Sequence, residues 1–142
     1  MKKLVNTSFI YLILSLISGV FYREFTKFNG YTGKTALGVM HTHFFILGVL
    51  IFLILALFVK DHEDRLNAKK LNRFYWLHHI AMILFSVTLL TRGIIQVRDI
   101  SLSVTKNAML SGFAGVSHIL MTISLIFFFG IIKDLTKNSQ EK

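Results

Sequence analysis

The sequence predicts an all-α integral membrane protein, an up-and-down bundle of four helices in which residues 1–142 form a single transmembrane domain. Three observations predict it. The chain is 54% hydrophobic, with a mean hydropathy of +0.61 and no proline. Its apolar residues are concentrated in uncharged runs at about Leu4–Tyr22, Ala36–Val59, Phe74–Val97 and Ala108–Ile132, interrupted only near the end of the third by Arg92. Such lengths match the roughly 20 residues a helix needs to cross a bilayer core. The connections are short, so consecutive helices should be antiparallel neighbours.

The first run follows Lys2 and Lys3, as a signal peptide would, but its apolar part is too long for a signal core and no small-residue cleavage site precedes Arg23. It reads as a retained helix. Ser8, Tyr11, Ser15, Ser18, Gly19 and Tyr22 recur on it at helical spacing. A small, polar stripe on a membrane helix faces protein, because lipid offers no hydrogen-bond partner and small residues allow close packing. The plain interpretation is a packing face; the sharper one is that the stripe borders a cofactor, with Tyr22 and Arg23 at its polar end.

The second run carries His41-Thr42-His43, and from Thr35 to Val59 there is no Asp, Glu, Lys or Arg. An ionisable side chain at membrane depth has to be paired, hydrated or bound, which makes it a functional-site hypothesis. A period of 3.6 residues puts Gly38, His41, Phe45, Gly48 and Phe52 on one side, and turns His43 about 200° away from His41. The Gly-rich side resembles an interior face and favours His41, whereas depth favours His43. The following loop holds His62 among Asp61, Glu63 and Asp64, a pattern more typical of a solvated turn than of a metal site.

The third run opens with Tyr75 and Trp76, suited to a headgroup-level belt, then His78 and His79. His78 shares a side with Phe85, Arg92 and Gln96, which marks that side as interior or pore-lining. Arg92 is positioned for an anionic group such as a carboxylate, or for snorkelling to headgroups. In the fourth run Asn107, Ser111, Gly115, His118 and Thr122 align, and the small residues let a backbone or a flat ring approach. His118 is the deepest ionisable group, about 15 Å from the outer end at 1.5 Å per residue.

The basic residues explain themselves through the membrane. Ten Lys and Arg lie on the side of the chain ends and the second connection (Lys2, Lys3, Lys60, Arg65, Lys69, Lys70, Arg73, Lys133, Lys137, Lys142), against six on the other. That bias puts both termini in the cytoplasm. The net charge of +9 therefore does not imply a nucleic-acid partner. The lipid bilayer is the expected partner, with a membrane redox partner, a quinone or a second copy of the chain as further ones.

No apolar run contains Asp or Glu, and the chain has no cysteine. Hard-ion sites, iron–sulfur clusters and covalent haem attachment are thereby disfavoured. Neutral imidazoles in a dry bundle suit haem b, with copper or zinc as the alternative. Bis-histidine ligation needs one imidazole from each of two facing helices. Here these are His118 and either His41 or His43, with His78 and His79 less natural partners at the opposite end. Gly38, Gly48, Ser111 and Gly115, beside Phe45, Phe52 and Phe129, would edge a slot for the macrocycle, and Arg23 and Arg92 would meet its propionates. A third possibility is a non-catalytic membrane subunit whose histidines bond between helices. No acid, base or nucleophile set suggests an independent enzyme; a redox role would make the chain a component of one.

Three motifs also resemble those of a family of small bacterial four-helix membrane proteins of unknown function. They are His41-Thr42-His43 followed by Leu47-Gly48, Thr91-Arg92-Gly93-Ile94-Ile95-Gln96, and Ser111-Gly112-Phe113-Ala114-Gly115-Val116-Ser117-His118. The likeness spans nearly the whole chain and implies the four-helix fold without an activity. The His-x-His run is more loosely similar to haem-bearing helices of oxidase-like membrane proteins.

Overall fold

The structure, a computed structural model, describes residues 1–137; Lys142, counted above among the basic residues, lies outside the described residues. It is an integral membrane bundle of four long helices: α1 Lys2–Phe28, α2 Leu37–Asp61, α3 Ala68–Val97 and α4 Val104–Thr136. All four are long and apolar enough to cross a membrane, and there is no strand among the described residues. The protein is a multi-pass membrane protein.

The helices outrun the apolar runs that announced them. Charged residues are good helix formers, so a run marks the length in lipid rather than the point where the helix stops. α1 continues through Arg23–Lys27 until Gly30, whose φ of 60° ends it: Gly30 N–H donates to Lys27 O and Tyr31 N–H to Thr26 O. α3 starts before Phe74 because the Asn67 side chain accepts from Lys70 N–H at 3.0 Å, and Ser103 caps α4 in the same way. Within α2 the backbone widens to a π-helix at Phe44–Leu50, immediately after His43. Such turns loosen the helical ladder and are frequent at functional sites.

α3 and α4 form a long hairpin, and α2 lies against both, whereas the backbone of α1 approaches α2. α1 meets α3 through side chains near one end, where Thr7 and Tyr75 share a hydrogen bond of 3.0 Å and the rings of Tyr11 and His79 lie 5.6 Å apart. Serines sew α1 to α2: Ser8 donates to Val49 O at 2.9 Å and Ser15 to His41 O at 2.8 Å.

The core is lopsided. Leu4, Tyr11, Phe52, Leu55, Val59, Phe74, Met82, Met121, Phe128, Ile131 and Leu135 are all buried, and they cluster in the half nearest the chain ends. Lys70 and Asp134, 2.6 Å apart, and Arg65, donating to the carbonyls of Leu135 and Lys137, hold the polar surface of that half. In the other half α2 is anchored to α3 by two hydrogen bonds. Thr35 donates to Gly93 O at 3.2 Å, and the Gln96 side chain accepts from Ala36 N–H at 2.8 Å. Gly93 is required there, because Leu37, wholly buried, occupies the place a Cβ would take.

Candidate functional site

His43 and His118 converge on one side chain. The ring of Phe85, on α3, lies 4.7 Å from the His43 ring of α2 and 4.8 Å from the His118 ring of α4, edge-on to the latter. Each imidazole is fixed by its own helix: Nδ1 of His43 donates to Val39 O at 2.6 Å and Nδ1 of His118 to Ala114 O at 2.7 Å. A carbonyl can only accept, so the proton resides on Nδ1 and the neutral ring keeps its lone pair on Nε2. That is the tautomer of a histidine whose outer nitrogen is oriented by the backbone and whose Nε2 is free to ligate. His43 is partly exposed and His118 exposed at the surface of the hairpin.

The other histidines are disposed differently. His41 turns toward α1, where a Cβ on Gly19 would stand 3.7 Å from its own Cβ; its buried Nδ1 has no hydrogen-bond partner among the described residues. His78 is wholly buried and used on both nitrogens. Its Nε2–H donates to Leu47 O at 2.9 Å, on the π-helical turn, and its Nδ1 accepts from the Ser124 hydroxyl at 2.8 Å. His79 donates from Nδ1 to Tyr75 O at 2.7 Å. His78 and His79 belong to the aromatic core at the chain-end half, against Phe52 and Tyr11.

The small residues divide in two. Gly38 faces the Tyr22 ring and Gly48 is filled by the Tyr11 ring, so both accommodate α1 rather than leaving a slot. Gly112 and Gly115 have nothing within 4 Å of where a Cβ would be. The stripe of Asn107, Ser111, Gly115, His118 and Thr122 is exposed. α4 packs instead through Ser117, Met121, Ser124 and Phe128, a quarter-turn away. Phe45 and Phe129 are exposed, and Phe52 is buried in the core of the other half.

Arg92 spans from α3 to α4, donating to Ser111 Oγ at 2.9 Å and Asn107 Oδ1 at 3.5 Å. It is thus held two helical turns outward of His118, beside the bare glycines. Arg23 projects from α1, 78% exposed, with Glu24 at 3.4 Å. Three features escaped sequence reasoning: Phe85 as the meeting point, Gln96 as the cap of α2, and the π-helical turn. Phe85 shares a helix side with His78 and Arg92, a signal that was available; the turn has none. Among the described residues no group of three or more His, Cys, Asp or Glu could hold a metal ion.

The chain belongs to the family described as protein of unknown function (DUF2871), whose model matches residues 1–135. No curated protein and no solved structure matches it.

Proposed function

We propose that this member of the DUF2871 family is a membrane haem b protein in which His118 and His43 are the axial ligands and which carries electrons or binds and senses haem. The observation that carries this reading is the pair of imidazoles on two helices, both pinned through Nδ1 and both packed on Phe85. Two ligands suffice for haem, whose porphyrin fills the other four positions on iron, whereas zinc takes four ligands and its structural sites draw them all from side chains. The donor set therefore fits haem better than copper or zinc.

The residues around the pair have identifiable parts to play. Gly115 leaves a flat face on α4 one turn from His118, and Arg92, already bridging to Ser111 on that side, supplies a cation for a propionate. Phe85 touches both imidazoles, so it is the side chain that would have to move for the two to hold one iron. When bound, the haem iron supplies one-electron redox chemistry, tuned by the two imidazoles and the apolar surroundings. The excess of Lys and Arg at the chain-end half favours a cytoplasmic location for both termini. Because the sequence has no cysteine, single cysteines placed at residues 2 and 30 would report the two sides by labelling in intact cells.

An alternative, a membrane subunit whose histidines only join helices, is favoured by His78, whose two bonds do just that. Optical spectroscopy separates the two. Protein purified from haem-replete cells is expected to show a Soret band and sharp reduced-state bands. His118→Ala and His43→Ala each lose the pigment while remaining folded; His41→Ala keeps it. Colourless protein that gains no pigment from added hemin refutes haem binding, and pigment lost in His41→Ala but kept in His43→Ala refutes the ligand pair.

A further inference from the structure

A second site lies between α1 and α3 and does not depend on the haem reading. Because the backbone of α1 stays with α2, a groove remains between α1 and α3, with Phe44 of α2 as its floor. Its cavity of about 360 Å³ falls within the range of small-molecule sites. Ile10, Ile83 and Val87, each more than half exposed, form its lips, so the entrance is from the hydrocarbon of the bilayer.

Two residues that line this groove carry a polar atom without a partner among the described residues. Tyr11 is 5% exposed, and its hydroxyl makes no hydrogen bond. His79 has its Nδ1 committed to Tyr75 O, which leaves a lone pair on Nε2. A hydroxyl without a partner is costly where lipid replaces water. The lining contains no Lys, Arg, Asp or Glu, and the ammonium of Lys3 beside it lies 3.7 Å over the Tyr75 ring. The lining is rich in rings instead: His79 is stacked on Tyr75 at 4.3 Å, and Tyr11 is 5.6 Å from it.

We infer that this groove binds the head of a lipid-soluble quinone, with the hydroquinone preferred. A flat, neutral ring suits the aromatic walls, and an apolar tail can leave between the lips into the bilayer. The Tyr11 hydroxyl donates to a ring oxygen in either redox form. Only the hydroquinone has an O–H to donate to His79 Nε2, so the reduced form makes one more hydrogen bond.

The test is equilibrium binding of a decyl-tailed ubiquinone analogue, oxidised and reduced, to the full chain in nanodiscs, read by quenching of tyrosine and tryptophan fluorescence. Reduced analogue is expected to bind about fivefold more tightly than oxidised, and Tyr11→Phe to weaken both forms about fivefold, the usual worth of one hydrogen bond. Tyr11→Phe keeps the ring that fills the space over Gly48, and an unchanged melting temperature certifies its fold. Val87→Trp, at an exposed lip, is expected to block binding outright. Equal affinity of wild type and Tyr11→Phe, full binding by Val87→Trp, or equal competition by decanol would each overturn the assignment, the last reducing the groove to an acyl-chain cleft.

Discussion

His78 and His118 lie on long apolar helices in the same bundle and are treated in opposite ways. His78 is sealed, with Leu47 O and the Ser124 hydroxyl taking up both nitrogens. His118 uses one nitrogen on its own helix and presents the other at the surface. The same contrast runs through the two halves. Near the chain ends, aromatic and aliphatic side chains from all four helices close over one another. Beyond Phe85, α4 leaves glycines uncovered and polar residues exposed. One half holds the protein together, and the other keeps His43 and His118 available.

Removing each histidine gives the largest expected effect and the sharpest test of that division. His78→Ala leaves a cavity and strips partners from a buried carbonyl and hydroxyl, which should cost about 3 kcal/mol. His118→Ala in haem-free protein should cost no more than about 0.5 kcal/mol, the range of surface changes without special contacts. Unfolding by a denaturing detergent, followed by circular dichroism, measures both. Similar losses at the two positions would erase the distinction between the halves.

The fold was legible because its cause is crude: hydrocarbon demands long uncharged helices, and four such runs stand out. Their ends were not, since Arg23–Lys27 and Ala68–Arg73 extend helices that hydropathy cannot see. His118 was recognisable as a candidate from depth alone. Periodicity separated His41 from His43 but could not say which neighbour each faces. Glycines on the His41 side suggested an interior slot; in this bundle they admit the tyrosines of α1, because small residues mark the closest helix contact. Gln96 suggested a pore-lining side, and its amide oxygen instead caps α2. The partner of His78 is a carbonyl on a π-helical turn, which no residue pattern in the sequence announces.

Glycines give the second test. A methyl at Gly48 would collide with the Tyr11 ring, forcing α1 and α2 apart. Gly48→Ala should therefore cost about 2 kcal/mol, as overpacking does. A methyl at Gly115 meets nothing. Gly115→Ala should leave haem-free protein unchanged or raise its stability by up to about 1 kcal/mol, the helix propensity difference. If the flat face of α4 receives a macrocycle, that same methyl should reduce haem content in the purified protein. Thermal melts paired with the Soret absorbance separate the two consequences.

The smallest effect concerns how the open half is positioned at all. His43 is carried by the outer part of α2, whose first turn closes on Gly38 N–H to Thr35 O and Val39 N–H to Ala36 O. Gln96 accepts from Ala36 N–H, immediately before the helix, and thereby fixes the start of α2 against α3 beside Gly93 and Leu37. Gln96→Ala should cost about 1 kcal/mol, the usual worth of an N-terminal cap. Gln96→Glu, which keeps the accepting oxygen, should restore most of it. Hydrogen exchange locates the loss: faster exchange at residues 36–39 with no change at residues 70–80 means that the open half has a fastening of its own. Uniformly faster exchange would mean that the two halves unfold as one unit.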